Sequence, residues 1–212
     1  MVNNTMSLFD VSLHYNFFDA SQGRRSLTHI FDGSLVEKRP MNAVTFVDNH
    51  DTQYGQSLQS FVEDWFKPLA YSLILLRQAG VPCVFYSDYY GNPVQNRPLV
   101  PNLGKQIKVR RWYAYGEQKD YFGDDHLVGW VRQGDIEHEN SGVAVVMSDG
   151  ESGTLPMEIG RDFAGEFFYD VMGKCTEPVE IDKKGIGEFK TTSKSVSIWV
   201  RKKAFEDIIV NE

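Results

Sequence analysis

Ala43-Val44-Thr45-Phe46-Val47-Asp48-Asn49-His50-Asp51 is the stretch on which the fold turns. Its first five residues are apolar, β-branched or aromatic, the make-up of a short buried strand. The residues that follow bring two carboxylates and an imidazole to the end of that strand. In a parallel α/β barrel the active face lies at the carboxyl ends of the strands, so titratable groups at this position point to chemistry more than to stability. The same pattern also suits a strand-end Asp whose side-chain oxygen caps the next helix.

Outward from this stretch, strand-like and helix-like runs alternate as far as Tyr115. A strand is predicted over Leu8 to Leu13, a helix over Leu27 to Leu35, a strand over Val44 to Val47 and a helix over Leu58 to Ala79. A strand over Val81 to Tyr86 and a helix over Leu103 to Tyr113 complete the series. That alternation is the signature of a parallel sheet with covering helices. Pro68 removes a backbone donor and clashes with the preceding turn, so it should break or kink the long helical run. Beyond Tyr115 the pattern becomes short strands between Gly-rich turns: Leu127 to Arg132, Val143 to Ser148, Leu155 to Ile159, Phe167 to Asp170, Val179 to Ile181, Gly187 to Lys190 and Val196 to Val200. Such spacing predicts an antiparallel sandwich. The chain is therefore divided into 1–115, 116–202 and a tail, 203–212.

Across 212 residues, an apolar fraction of 42% with 13% aromatics is enough for real cores. A formal charge of −7 argues against a nucleic-acid partner, since phosphate binding draws on clustered Lys and Arg; Arg201-Lys202-Lys203 reads as a solvated strand end. Neutral substrates suit this balance better. No run approaches the roughly 18 to 20 apolar residues of a membrane span, so no membrane partner is expected. The N-terminus has no basic segment leading into an apolar stretch, but a chain that starts inside a domain leaves the compartment open. Cys83 and Cys175 are far apart in sequence and read as free buried thiols. Asn3-Asn4-Thr5 matches a glycosylation sequon.

Phe46-Val47-Asp48-Asn49-His50-Asp51 resembles the strand-seven motif of the alpha-amylase family of retaining glycoside hydrolases, in which an Asn-His-Asp triplet closes on the sugar ring. Gly80-Val81-Pro82-Cys83-Val84-Phe85-Tyr86-Ser87-Asp88 resembles the eighth barrel strand of that family. Ser7-Leu8-Phe9-Asp10-Val11-Ser12-Leu13-His14-Tyr15 is similar to strand six of the liquefying bacterial type. Lys67-Pro68-Leu69-Ala70-Tyr71 and Trp112-Tyr113-Ala114-Tyr115-Gly116 fit the helices between and after. The likeness runs from about Ser7 to about Ile198. It implies strands six to eight of a (β/α)8 TIM barrel, followed by an antiparallel Greek-key β-sandwich.

The resemblance also implies chemistry. Asp51 matches the third carboxylate of the family, which favours the oxocarbenium-like transition state, and His50 would donate to the hydroxyls of the same sugar; a core histidine satisfied by a backbone carbonyl is the other reading of His50. Asn49 and Asp48 would orient the loop, with Asn49 also facing substrate, and Gln53 and Tyr54 would line the cleft. Tyr86, Asp88 and Tyr89, and likewise His14 and Tyr15, end strands on the same rim, with structural roles as natural as sugar contact. The nucleophile of the family, in a Gly-Phe-Arg-x-Asp sequence, and its acid Glu are not found here. Retaining hydrolysis needs two carboxyl groups about 5 to 5.5 Å apart, so the chain reads as the C-terminal portion of an α-1,4-glucan endo-hydrolase, inactive alone. Three barrel strands leave two open edges, which calls for the N-terminal barrel half or self-association. Calcium belongs to the complete family enzyme; in Gly123-Asp124-Asp125-His126-Leu127 a His stands where an Asp ligand is expected, and although Asp149 stays open as a contributor, the loop after Ser21 is shorter than that of the family, so no metal ligand is assigned. The alternative is a non-catalytic protein that uses Trp130, Phe167, Phe168, Tyr169 and Trp199 for carbohydrate binding or association, although alternating core positions explain most of these aromatics.

Overall fold

The computed structural model describes residues 6–210; the sequon at 3–5 lies outside them. β1 (Leu8–Phe9), β2 (Ala43–Phe46) and β3 (Val81–Cys83) form a parallel sheet in that order, with β2 in the middle. The first predicted strand stops four residues early. Asp10 ends it, because its carboxylate accepts the Leu13 N–H at 3.0 Å and so starts α1 (Val11–Ser21). The same carboxylate accepts from the Leu35 and Val36 amides at 2.9 and 2.7 Å and anchors α2 (Leu35–Lys38).

The helix predicted over Leu27 to Leu35 is also broken up. Only Leu27–His29 forms a 3-10 turn, and Gly33 adopts φ +76°, a left-handed conformation in which Ser34 can begin α2 afresh. Likewise, α3 occupies only Lys67–Leu75 of the long run Leu58 to Ala79. The Ser60 amide donates to the Thr52 carbonyl and the Val62 amide to the Asp48 carboxylate, so this segment spends its donors on a loop instead of a helical ladder. Pro68 sits in the first turn of α3, where no backbone donor is needed; it starts the helix and does not break it. β3 ends at Cys83, short of the predicted Tyr86, and α4 (Tyr86–Tyr90) follows; α5 (Leu103–Trp112) falls close to its expected place.

The second half contains β4 (Gln118–Tyr121), β5 (Leu127–Arg132), β6 (Val143–Ser148), β7 (Gly153–Glu158), β8 (Phe167–Asp170), β9 (Val179–Glu180), β10 (Ile186–Thr191) and β11 (Ser195–Arg201). Six of them make an antiparallel sheet in the order β4-β5-β6-β11-β8-β9, and β7 pairs with β10. Met157 and Phe189 of that pair share a core with Val131, Ala144, Val146, Phe168 and Trp199 of the large sheet. The opposite face of the large sheet, with Val128, Trp130, Val145 and Ile198, belongs to one cluster with Leu13, Tyr71, Ile74 and Val109. β5, β6 and β11 are thus buried on both faces, which is why they read as continuous apolar runs.

Past the last predicted strand, α6 (Lys202–Val210) buries Ala204 and Ile208 and sets Phe205 against Tyr169. Both thiols are free, but Cys83 is exposed and Cys175 half-buried; the expectation of buried thiols fails for Cys83 because β3 has one face open, and for Cys175 because it lies in the loop between β8 and β9. Among the described residues no helix is long and apolar enough to cross a membrane.

Candidate active site

The chain leaves the middle strand β2 through Val47 and Asp48, both buried, and emerges at Asn49. Asn49 Oδ1 accepts from the amides of Asp51 and Thr52 at 2.8 and 3.1 Å, an Asx turn that reverses the chain at once. Thr52 Oγ1 accepts from the Asn49 amide at 3.0 Å and donates to Asp48 Oδ1 at 3.1 Å. The turn lifts His50 and Asp51 into solvent, with side chains 81% and 50% exposed and His50 Nε2 3.5 Å from Asp51 Oδ1. The half-open carboxylate can accept from a ligand hydroxyl, and the ring beside it can donate to one. Gln53 folds back to the His50 carbonyl at 3.3 Å. Tyr54 is exposed and meets the Phe61 ring edge-on, and the Arg97 guanidinium lies 5.4 and 4.8 Å from the two rings. Asn49, His50, Asp51, Gln53 and Tyr54 therefore share one loop.

Other candidates are placed differently. His14 lies in α1, not at a strand end, and is fully buried; Nδ1 donates to the Val47 carbonyl at 2.6 Å, and Nε2 lies 2.9 Å from Ser60 Oγ. Its ring stacks on Phe46, and burial holds its pKa down, so it is a neutral support beneath the loop. Tyr15, Tyr86 and Tyr89 are exposed. Asp88 is buried, and its carboxylate is taken by Lys67 Nζ at 2.5 Å and by Tyr71 OH at 2.7 Å.

Lys67 is the residue the motifs did not single out. Its ammonium also lies 3.1 Å from Asp48 Oδ2, so one cation serves two buried carboxylates. Burial works against that ammonium, but Asp88 and Asp48 outweigh it and push its pKa up. Burial raises Asp48 to about 6 against the pull of Lys67, with Asp88 adding to the rise. Tyr71 is raised well above the usual phenol value, first by burial and then by Asp88. A lysine opening an apolar helix beside Pro68 was the available signal, and it became meaningful only once the fold brought Asp48 and Asp88 to it.

The stretch Gly123 to Leu127 does not offer a calcium site. His126 Nδ1 is 2.8 Å from Asp149 Oδ1, and Asp124 Oδ1 is taken by the amides of His126 and Leu127. An imidazole on the carboxylate that a hard cation would need does not fit such an ion. Among the described residues no group of three or more His, Cys, Asp or Glu side chains could hold a metal. A cleft of about 1070 Å³ opens beside this pair, between the end of α1 and the large sheet, away from the Asp51 loop. Of the aromatics in the alternative reading, Trp130, Phe168 and Trp199 are core residues.

The fold is shared with carbohydrate-active enzymes: an alpha-amylase from Anoxybacillus superposes with a TM-score of 0.61 at 15% identity, over 90% of this chain and 45% of that one. Residues 143–200 match the family model described as Alpha-amylase C-terminal. The chain is 48% identical to an alpha-amylase of Geobacillus stearothermophilus over 95% of its length. It is 47% identical to the glucan 1,4-alpha-maltohexaosidase of Bacillus sp. (strain 707) over 92%. It spans 37% and 38% of the length of these two relatives. By sequence it is similar to the C-terminal portion of alpha-amylases.

Proposed function

We propose that this chain is the part of a retaining alpha-amylase that carries strands six to eight of a (β/α)8 barrel (residues 1–115) and a Greek-key sandwich (residues 116–202). In the complete enzyme it serves endo-hydrolysis of α-1,4-glucosidic bonds. The observation that carries this reading is the Asp51 carboxylate, half-open at the carboxyl end of the middle parallel strand and flanked by His50. Asp51 stabilises positive charge developing on the sugar ring, His50 and Asn49 hold hydroxyls, and Gln53 and Tyr54 border the cleft. The nucleophile and the acid come from outside the chain. Calcium of the complete enzyme is assigned to other segments, in keeping with the His126–Asp149 pair.

Among the described residues both outer strands of the parallel sheet have an unpaired edge, and Leu8, Phe9, Val81 and Cys83 are exposed. The occupant we assign to this face is the half-barrel formed by the first five strands, with the α-glucan bound between the two pieces. The test mixes the chain with an N-terminal barrel fragment of the Geobacillus relative and measures reducing-end release from maltooligosaccharides. The chain alone releases nothing above background; the mixture is active, and Asp51→Asn lowers its rate about 10² to 10³-fold. A stable complex whose activity is indifferent to Asp51 overturns the assignment.

A further inference from the structure

The loop that carries Asp51 leaves at Asp48 and returns at Val62, and one buried carboxylate holds both ends. Asp48 accepts from Thr52 Oγ1 at 3.1 Å on the outgoing side and from the Val62 amide at 3.3 and 3.4 Å on the returning side. Lys67 then ties Asp48 to Asp88, and Tyr71, which holds Asp88, accepts from the Phe85 amide at 3.3 Å just past β3. The end of β2 is thus tied to α4 by ionic bonds, and through the Tyr71 hydroxyl to the chain just past β3. His14 closes the cluster from α1, its Nδ1 3.8 Å from Asp48 Oδ1, and its other nitrogen meets Ser60 of the same loop. On the outer side a cavity of about 20 Å³ is shared with Asp64 and Arg97, themselves 3.7 Å apart.

Two carboxylates and a neutral imidazole around one ammonium leave one unbalanced negative charge in a buried site. Such a site relieves itself by taking up a proton, and the burial of Asp48 makes it the acceptor. Asp48 is only 2% exposed and cannot reach a sugar, so any effect on chemistry passes through the loop. Charge-assisted hydrogen bonds are about twice as strong as neutral ones. A protonated Asp48 therefore holds Thr52 and Val62 less firmly.

Resting on the function proposed above, we infer that Asp48 and Lys67 are positioning residues that clamp the Asn49 to Asp51 loop, and that a single proton on this buried cluster slackens the clamp and withdraws Asp51 from its working position. The clamp is closed above about pH 6 and slack below it; one pH unit lower, about nine tenths of the molecules carry the proton.

The isolated chain gives the first test. The Asp48 carboxyl carbon and the amides of Thr52 and Val62, followed by NMR between pH 4 and 8, share one midpoint near 6, and Asp48→Asn holds the two amides at their acid positions throughout. The neighbours move that midpoint in opposite directions. Lys67→Met removes the cation and raises it; Asp88→Asn removes a negative charge and lowers it. A general loss of packing does not produce opposite shifts. In the complex with the N-terminal fragment, the acid limb of kcat follows the same two shifts while KM stays put. If the wild-type mixture is inactive, the proposed function fails and the isolated-chain titration still decides the clamp. Amides that stay flat while Asp48 titrates, or midpoints that shift the same way in both variants, overturn it. Should Lys67→Met not fold, the Asp88→Asn shift decides.

Discussion

Asp170 shows what one side chain does in the antiparallel half. It is buried, and its carboxylate accepts four amides, from Met172, Lys174, Cys175 and Ile198, between 2.8 and 3.1 Å. It fastens the turn after β8 to β11. Burial raises its pKa, and the four donors only partly offset this. Asp170→Ala strands those donors, and an orphaned buried amide costs about 1–3 kcal/mol. We expect a loss of about 3–5 kcal/mol in urea unfolding, with Asp170→Asn, which keeps an acceptor, losing less. The sign of the pH effect follows from the raised value: the native carboxyl holds its proton longer than the unfolded one. The contribution of Asp170 to stability therefore declines as pH rises from the ordinary carboxylate range through the folded value.

Among the elements, β5, β6 and β8 fall on the residues expected from sequence, because β-branched and aromatic runs between turn residues have few other uses. The helical runs were less legible. Leu58 to Phe66 is apolar enough to look helical, yet Val62 and Phe66 are buried by a loop whose bonds go to residues 48 to 52. Only the fold reveals that competition. Asp10 misled in the same way, since a carboxylate within an apolar alternation looks like the outward face of a strand. The Asx turn at Asn49 was visible because its partners are neighbours in sequence, whereas Lys67 and Asp88 meet Asp48 only in three dimensions. Because Asp10 serves the starts of both α1 and α2, Asp10→Ala should cost more than the loss of one cap, about 2–4 kcal/mol, read as a lowered urea midpoint with unchanged slope.

At the scale of the whole molecule, the parallel and antiparallel sheets are stitched together where α3 ends. Arg77 donates to both oxygens of Asp120 at 2.8 and 2.7 Å, and its guanidinium lies 4.7, 5.1 and 5.5 Å from the rings of Phe31, Phe122 and Trp130. A lysine keeps the charge and loses the planar fork, so Arg77→Lys should cost about 1–2 kcal/mol by chemical denaturation. Beneath that contact, Leu13, Tyr71, Trp130 and Ile198 belong to one continuous apolar cluster. A shared core has a thermodynamic signature: calorimetry should record one transition with equal calorimetric and van't Hoff enthalpies, and two resolved peaks would contradict it. It also bears on heredity and on engineering. The antiparallel half cannot be passed between enzymes as a cassette, because the face of its large sheet that carries Val128, Trp130, Val145 and Ile198 is buried in one cluster with residues of α1, α3 and α5, and a graft that left those helices behind would arrive with that face bare.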